Sequence, residues 1–268
     1  MAMQSSQPIP RPSDLSNRTD PAVLYALSYL VTRAIIGILG VLLPVAFIIG
    51  EAYLSGSVKV RGSLSAYYHS SMRDVFVAGL CVIGFFLITY LSGQTKTLDF
   101  RLSLLAGVAV LFVVFFPTKR PDLAPGAPLC GVTPMPQGCS PLQQQFGEQL
   151  VAGIHFAAAA VFILSLAWLC FVFADPKREK SPRMRAIVRA CGWVILAAVA
   201  WTVVGGFLKA NIWKLTPLYV GEVVSVLAFG TAWLVKARDL RKALGAPPGA
   251  RRTADDRQRR QQPSESSG

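Results

Sequence analysis

Apolar residues in this chain gather into six long blocks separated by short polar stretches. They cover about 33–54, 74–91, 102–116, 149–173, 187–208 and 218–235. A helix rises about 1.5 Å per residue, so roughly 20 apolar residues match the ~30 Å hydrocarbon core of a bilayer. A water-facing surface is hard to build from what remains. Charged residues make up 15% of the chain, against about 25% in soluble domains, and the mean hydropathy is +0.46. The predicted fold class is therefore all-α, an integral membrane bundle of about six transmembrane helices. The third block is the shortest and stops before Pro117, which predicts a span with little tilt or with one extended end.

The flanks read differently. Residues 1–20 are polar and rich in Pro and Ser, with no apolar stretch of the kind a cleavable signal peptide needs. They are expected to form a disordered cytoplasmic arm before a transmembrane domain over 21–240. Residues 241–268 are expected to form a basic, disordered cytoplasmic tail. Gly245, Pro247, Pro248 and Gly249 should end any extension of the last helix.

A net charge of +13 and a pI of 9.9 would suit a nucleic-acid binder, but the distribution of that charge argues for orientation in a membrane. With the N-terminus inside, the inner segments hold Arg11, Arg18, Arg33, Lys96 and Arg101. They also hold a basic loop at 177–189 and the tail from Lys236. The outer segments hold Lys59, Arg61, Arg73, Lys119, Arg120, Lys209 and Lys214. The positive-inside rule then predicts both termini in the cytoplasm (N-in/C-in) of a multi-pass plasma (inner) membrane protein. Membrane lipids are the expected partners, with anionic lipid at the basic loop and tail, and no nucleic acid is expected. Cys130 and Cys139 fall in the outer loop between the third and fourth blocks, in a stretch rich in Pro and Gly, and read as a disulfide. Cys81, Cys170 and Cys191 read as small apolar fillers within spans.

Ionisable residues inside a span are functional candidates because a bilayer penalises them. On this topology Glu51, His69, Asp74, His155 and Glu222 all map to the outer leaflet or its edge. Ser65, Tyr68 and Arg73 lie beside them and complete the set of pocket candidates. Two imidazoles with Asp74 and Glu222 make a possible metal set, His69, His155, Glu222 and Asp74, with zinc the natural ion. Without metal, His155 and Glu222 make a proton-relay pair or a head-group site. Each residue also has a plainer role. Ser71 and Asp74 match a capping box at the start of the second span. His69 fits an aromatic belt with Tyr67 and Tyr68. Glu51 fits a solvated helix end, and Arg73 with Asp74 a local ion pair. His155 fits a bond across to a neighbouring helix. Glu222 needs a partner, with His155, Lys209 and Lys214 the nearest candidates.

The stretch from Ser65 to Leu80 (Ser-Ala-Tyr-Tyr-His-Ser-Ser-Met-Arg-Asp-Val-Phe-Val-Ala-Gly-Leu) resembles a signature of uncharacterised bacterial multi-pass membrane proteins. Phe115-Phe-Pro-Thr118, Ile154-His-Phe-Ala-Ala158 and Phe229–Lys236 are similar to other blocks of that family, over roughly residues 25–240. The resemblance implies the architecture but no activity. Ser65-x-x-x-His69 also distantly resembles the first element of the alkaline ceramidase and adiponectin-receptor hydrolases. That likeness implies zinc, with Asp74 as a second ligand. The late His-x-x-x-His pair of that superfamily is absent, since Ala159 follows His155, and six spans stand where it has seven.

Three functions follow as expectations. One is a membrane protein whose polar pocket near the outer leaflet binds a lipid head group or small solute and transports it. The second is a metal-dependent lipid hydrolase. The third is a structural or accessory subunit whose polar residues only join helices.

Overall fold

The computed structural model describes residues 21–56, 60–90, 97–121, 123–176, 181–212 and 215–245. Among them there are seven α-helices and no strand. They are α1 (Pro21–Ser55), α2 (Arg73–Thr89), α3 (Leu98–Phe115), α4 (Pro141–Phe146), α5 (Glu148–Phe173), α6 (Pro182–Leu208) and α7 (Pro217–Gly245). A single 3₁₀ turn, Ser65–His69, lies between α1 and α2. The predicted arm at 1–20 lies outside the described residues, as do 177–180 of the basic loop and the tail from 246. Thr32–Lys236 forms one compact unit, and the packing contacts and the site described below lie within it.

Five helices are long and apolar enough to cross a membrane: Leu30–Ser55, Leu98–Phe115, Glu148–Phe173, Pro182–Leu208 and Pro217–Arg238. The helix over the second apolar block, α2, has 17 residues and at about 1.5 Å per residue is roughly 25 Å long. The helices begin earlier than their apolar blocks, and in α6 a polar residue supplies the cap. At the start of α6, Ser181 accepts from the Met184 N–H and Pro182 follows in the first turn.

Two sets of polar contacts define the two ends of the bundle. At one end the Thr216 hydroxyl donates to the Gly62 carbonyl, and His69 Nε2 lies 2.7 Å from the Thr118 carbonyl. The segments after α1, after α3 and before α7 therefore meet there. At the other end Arg33 of α1 donates to the Tyr90 hydroxyl just after α2, at 2.6 Å. Its guanidinium also stands 5.6 Å from the ring centroid of Phe173 on α5. Trp233 of α7 packs on Tyr90 at 4.8 Å and on Phe173 at 5.6 Å. A cation held over desolvated rings is worth about 2 kcal/mol. In between, α3 packs against α2 and α5, and α5 against α6. On α1 and α7, Gly40 and Gly230 bring two backbones together. A Cβ on Gly40 would stand 3.0 Å from the Gly230 Cα, so only glycine fits this crossing.

Candidate binding site

The segment from Ser63 to Ser71 is irregular, yet its side chains from Ser63 to Tyr68 are buried. Buried backbone needs partners, and the serines provide them. Ser63 Oγ accepts from the Ala66 N–H at 3.0 Å. Ser70 Oγ donates to the Tyr67 carbonyl at 2.8 Å and accepts from the Met72 N–H at 3.0 Å. Apolar contacts seat the turn: Tyr67 stacks on Phe47 at 5.2 Å, and Tyr68 meets the ring of Phe76 edge-on. The segment acts as a plug between the helix ends.

Glu222, in the second turn of α7, ties the plug down. Its Oε2 accepts from the Leu64 N–H at 2.6 Å and its Oε1 from the Ser65 hydroxyl at 3.3 Å. The predicted partners do not supply these bonds: His155 and Lys209 bind Glu222 in no contact among the described residues, and Lys214 lies outside them. The partner is not a counter-charge but a backbone N–H, released by the break between α1 and α2.

Behind the plug lies a cavity of about 260 Å³. It is lined by Leu43, Phe47, Phe76, Ile83, Val110, Val113, Phe162, Leu166, Val226 and Phe229, among others. Among the described residues, the polar side chains on its wall are Ser65, Thr202, Glu222 and Ser225, and no Lys, Arg or His lines it. Thr202 is occupied by the carbonyls of Ala198 and Pro217. Glu222 is the charged group on the wall.

The remaining predicted residues divide into three local groups. Glu51 was expected in water at a helix end. It is 1% exposed, paired to Arg61 at 2.6 Å and bonded to the Ser71 hydroxyl at 3.1 Å. Ser71 and Asp74 form no capping box: Met72 is the N-cap of α2 without a side-chain cap, and Asp74 is exposed. Ser71 turns to Glu51 because a buried carboxylate needs the donor more than a solvated helix start does. Arg73 does not pair with Asp74. It donates to the Tyr68 hydroxyl at 2.9 Å and covers the Tyr68 ring at 4.6 Å.

The histidines form the third group, beside the loop 116–147. His155 is buried, with Nδ1 2.8 Å from the Phe116 carbonyl and 3.1 Å from that of Val113. Two acceptors facing Nδ1 assign the proton to it, so His155 joins α5 to the end of α3. Its Nε2 is buried with no partner among the described residues. His69, half-buried, lies edge-on to Tyr68 at 5.1 Å. Burial pushes its pKa below the usual 6.5, against the opposing pull of the Thr118 and Gly138 carbonyls and the Glu148 charge.

In the loop, Cys130 and Cys139 are joined by a disulfide with 5.8 Å between the Cα atoms. Arg120 ties the loop together, donating to Glu148 and to the Gln137 and Pro128 carbonyls. The structure does not bring His69, His155, Glu222 and Asp74 into one ligand set. Among the described residues, the donors that converge are Cys130, Cys139 and Glu148, within 4.8 Å of one another. The two sulfurs are bonded to each other and Glu148 is bound by Arg120. That chemistry is a poor fit for a zinc centre, which takes free thiolates and an unpaired carboxylate.

The chain matches no protein-family model, no curated protein and no solved structure.

Proposed function

We propose that this is a multi-pass integral membrane protein of six spans that binds a lipid-like molecule in the cavity behind the plug. The observation that carries the reading is an apolar cavity of about 260 Å³ whose wall, among the described residues, carries one carboxylate. A cavity of about 150 Å³ lined by apolar side chains stays dry and takes benzene. By that measure this one suits an apolar moiety of about ten carbons.

The alternation of contacts between the two ends supports six spans, with α2 crossing beside α3. The basic residues at the Arg33 end support N-in/C-in orientation, which puts the plug and the disulfide loop outside. The composition of the flanks supports a transmembrane domain over 21–240 between a cytoplasmic arm and tail. Anionic lipid at the basic loop and tail, and residence in the plasma membrane, follow from the same charge bias.

The test is lipid content. Protein is extracted in mild detergent and its bound lipids are counted by mass spectrometry, wild type beside Ala159→Phe, which fills the cavity from α5. The reading expects close to one lipid per chain in the wild type and a clear loss in the folded variant. A folded wild type that retains none, and gains none on incubation with decanol, would overturn it.

A further inference from the structure

We infer that the ligand is a single-chain amphiphile with a hydrogen-bond-donating, uncharged or cationic head, which enters sideways between α5 and α6 and sets its head against Glu222. The inference rests on the lipid-binding reading above and names its ligand class and route.

The head-group chemistry follows from the wall. Both Glu222 oxygens already act as acceptors, toward Leu64 and Ser65. A carboxylate offers about four lone-pair sites, so about two remain for a ligand. They call for an O–H or N–H donor such as a hydroxyl or an ammonium. An anionic head would meet the Glu222 charge, and no cation among the described residues lines the cavity to offset it. Ser65 cannot serve as a donor to the ligand while it donates to Glu222.

The chain number follows from the volume. About ten carbons fill the space, so a two-chain phospholipid does not fit whole. The apolar wall runs away from Glu222 toward Phe229 and Leu166, which leaves the chain end deep in the bundle.

The route follows from exposure. Among the lining residues, the exposed ones are Phe156 and Ala160 of α5 and Val203 of α6, and these two helices are neighbours. Phe156 is 47% exposed and Val203 52%. Both stand in the half of their helices that lies toward the plug. The cavity therefore opens sideways to the lipid at the depth of the carboxylate, while Tyr67 and Leu64 block the direct path from water.

The experiment is competition. A decyl alcohol carrying a diazirine at its chain end labels the protein in detergent. Decanol, decylamine and decanoate at pH 8 compete, against wild type, Glu222→Gln and Val203→Trp. Gln keeps a carbonyl for the Leu64 N–H, so the plug stays seated. A hydrogen bond to a charged group is strong enough for about tenfold or more in affinity. The inference expects decanol and decylamine to displace the label at concentrations at least about tenfold below decanoate. Glu222→Gln should narrow the gap between decylamine and decanoate. Val203→Trp should slow labelling without changing its position.

Equal displacement by all three heads, with labelling still in the cavity, would overturn the head-group inference and leave the lipid-binding reading standing. An unslowed Val203→Trp would overturn the route alone. No cavity labelling in folded wild type would remove both readings together.

Discussion

The Glu222 carboxylate accepts a hydrogen bond from the Leu64 N–H at 2.6 Å, across 158 positions of sequence. One bond thus joins the start of the last helix to the turn that closes the cavity. Glu222→Ala leaves that N–H without a partner, and an orphaned buried donor costs about 1–3 kcal/mol. Thermal unfolding in detergent should show a loss in that range for Glu222→Ala and less than half of it for Glu222→Gln. Equal losses would mean that charge, not the acceptor, holds the plug.

Glu51 and Arg61 make a buried pair, with Arg61 the better hydrated member at 18% side-chain exposure against 2%. Removing one partner of a buried pair costs about 3–5 kcal/mol, and replacing both with apolar groups costs much less. Arg61→Ala should lose about 3 kcal/mol, the low end, because water reaches the guanidinium site. The double variant Glu51→Met/Arg61→Met should be more stable than Arg61→Ala. A double variant that is worse than the single would contradict the pairing.

Much of this architecture is legible in the sequence. The helix over the fourth block, for example, runs to Phe173 as read from its apolar residues. Periodicity and hydropathy report how each segment meets its surroundings, and that is local information. The plug is not legible in the same way. Leu64 carries no sign that its N–H is destined for Glu222, because a backbone donor looks the same at every residue. The Glu51 and Arg61 pair was within reach, since both sit at the outer end on the charge argument. A solvated helix end is the plain reading of Glu51, but the packing of Tyr67 on Phe47 keeps water away and leaves it buried. One missed element did leave a signal: Ser140-Pro-Leu-Gln143 is a capping box with Pro in the first turn, and it starts α4.

The disulfide closes a separation of 9 residues, for which the chain-entropy model gives roughly 2.5 kcal/mol. Reduction should lower the thermal midpoint accordingly. It should also expose two thiols to a membrane-impermeant maleimide added from the outer side of sealed cells. Cys170 and Cys191 lie within α5 and α6, which the reading places in the bilayer, and should stay unlabelled. Labelling of Cys130 and Cys139 only from the cytoplasmic side would invert the proposed topology.

His69 gives a pH dependence with a definite sign. Burial lowers its pKa in the folded protein from 6.5, so the unfolded chain binds more protons as the medium acidifies. Its contribution to stability is whole above about pH 6.5 and is lost as pH falls from there through the lowered folded value. Melting curves between pH 8 and pH 5 should show this decline in wild type. His69→Gln, which keeps a donor for the Thr118 carbonyl, should show a shallower one. An unchanged slope would remove His69 from the titration.

The most direct test of the account is where a bound chain lies. Wild-type protein is photolabelled with the diazirine-tipped decyl alcohol, digested, and the adducts are mapped by mass spectrometry. The account predicts adducts on deep lining residues such as Phe229, Leu166 and Val226, lost in Ala159→Phe. Adducts confined to outward-facing side chains such as Trp168, Phe207 and Leu208, unchanged in that variant, would contradict it.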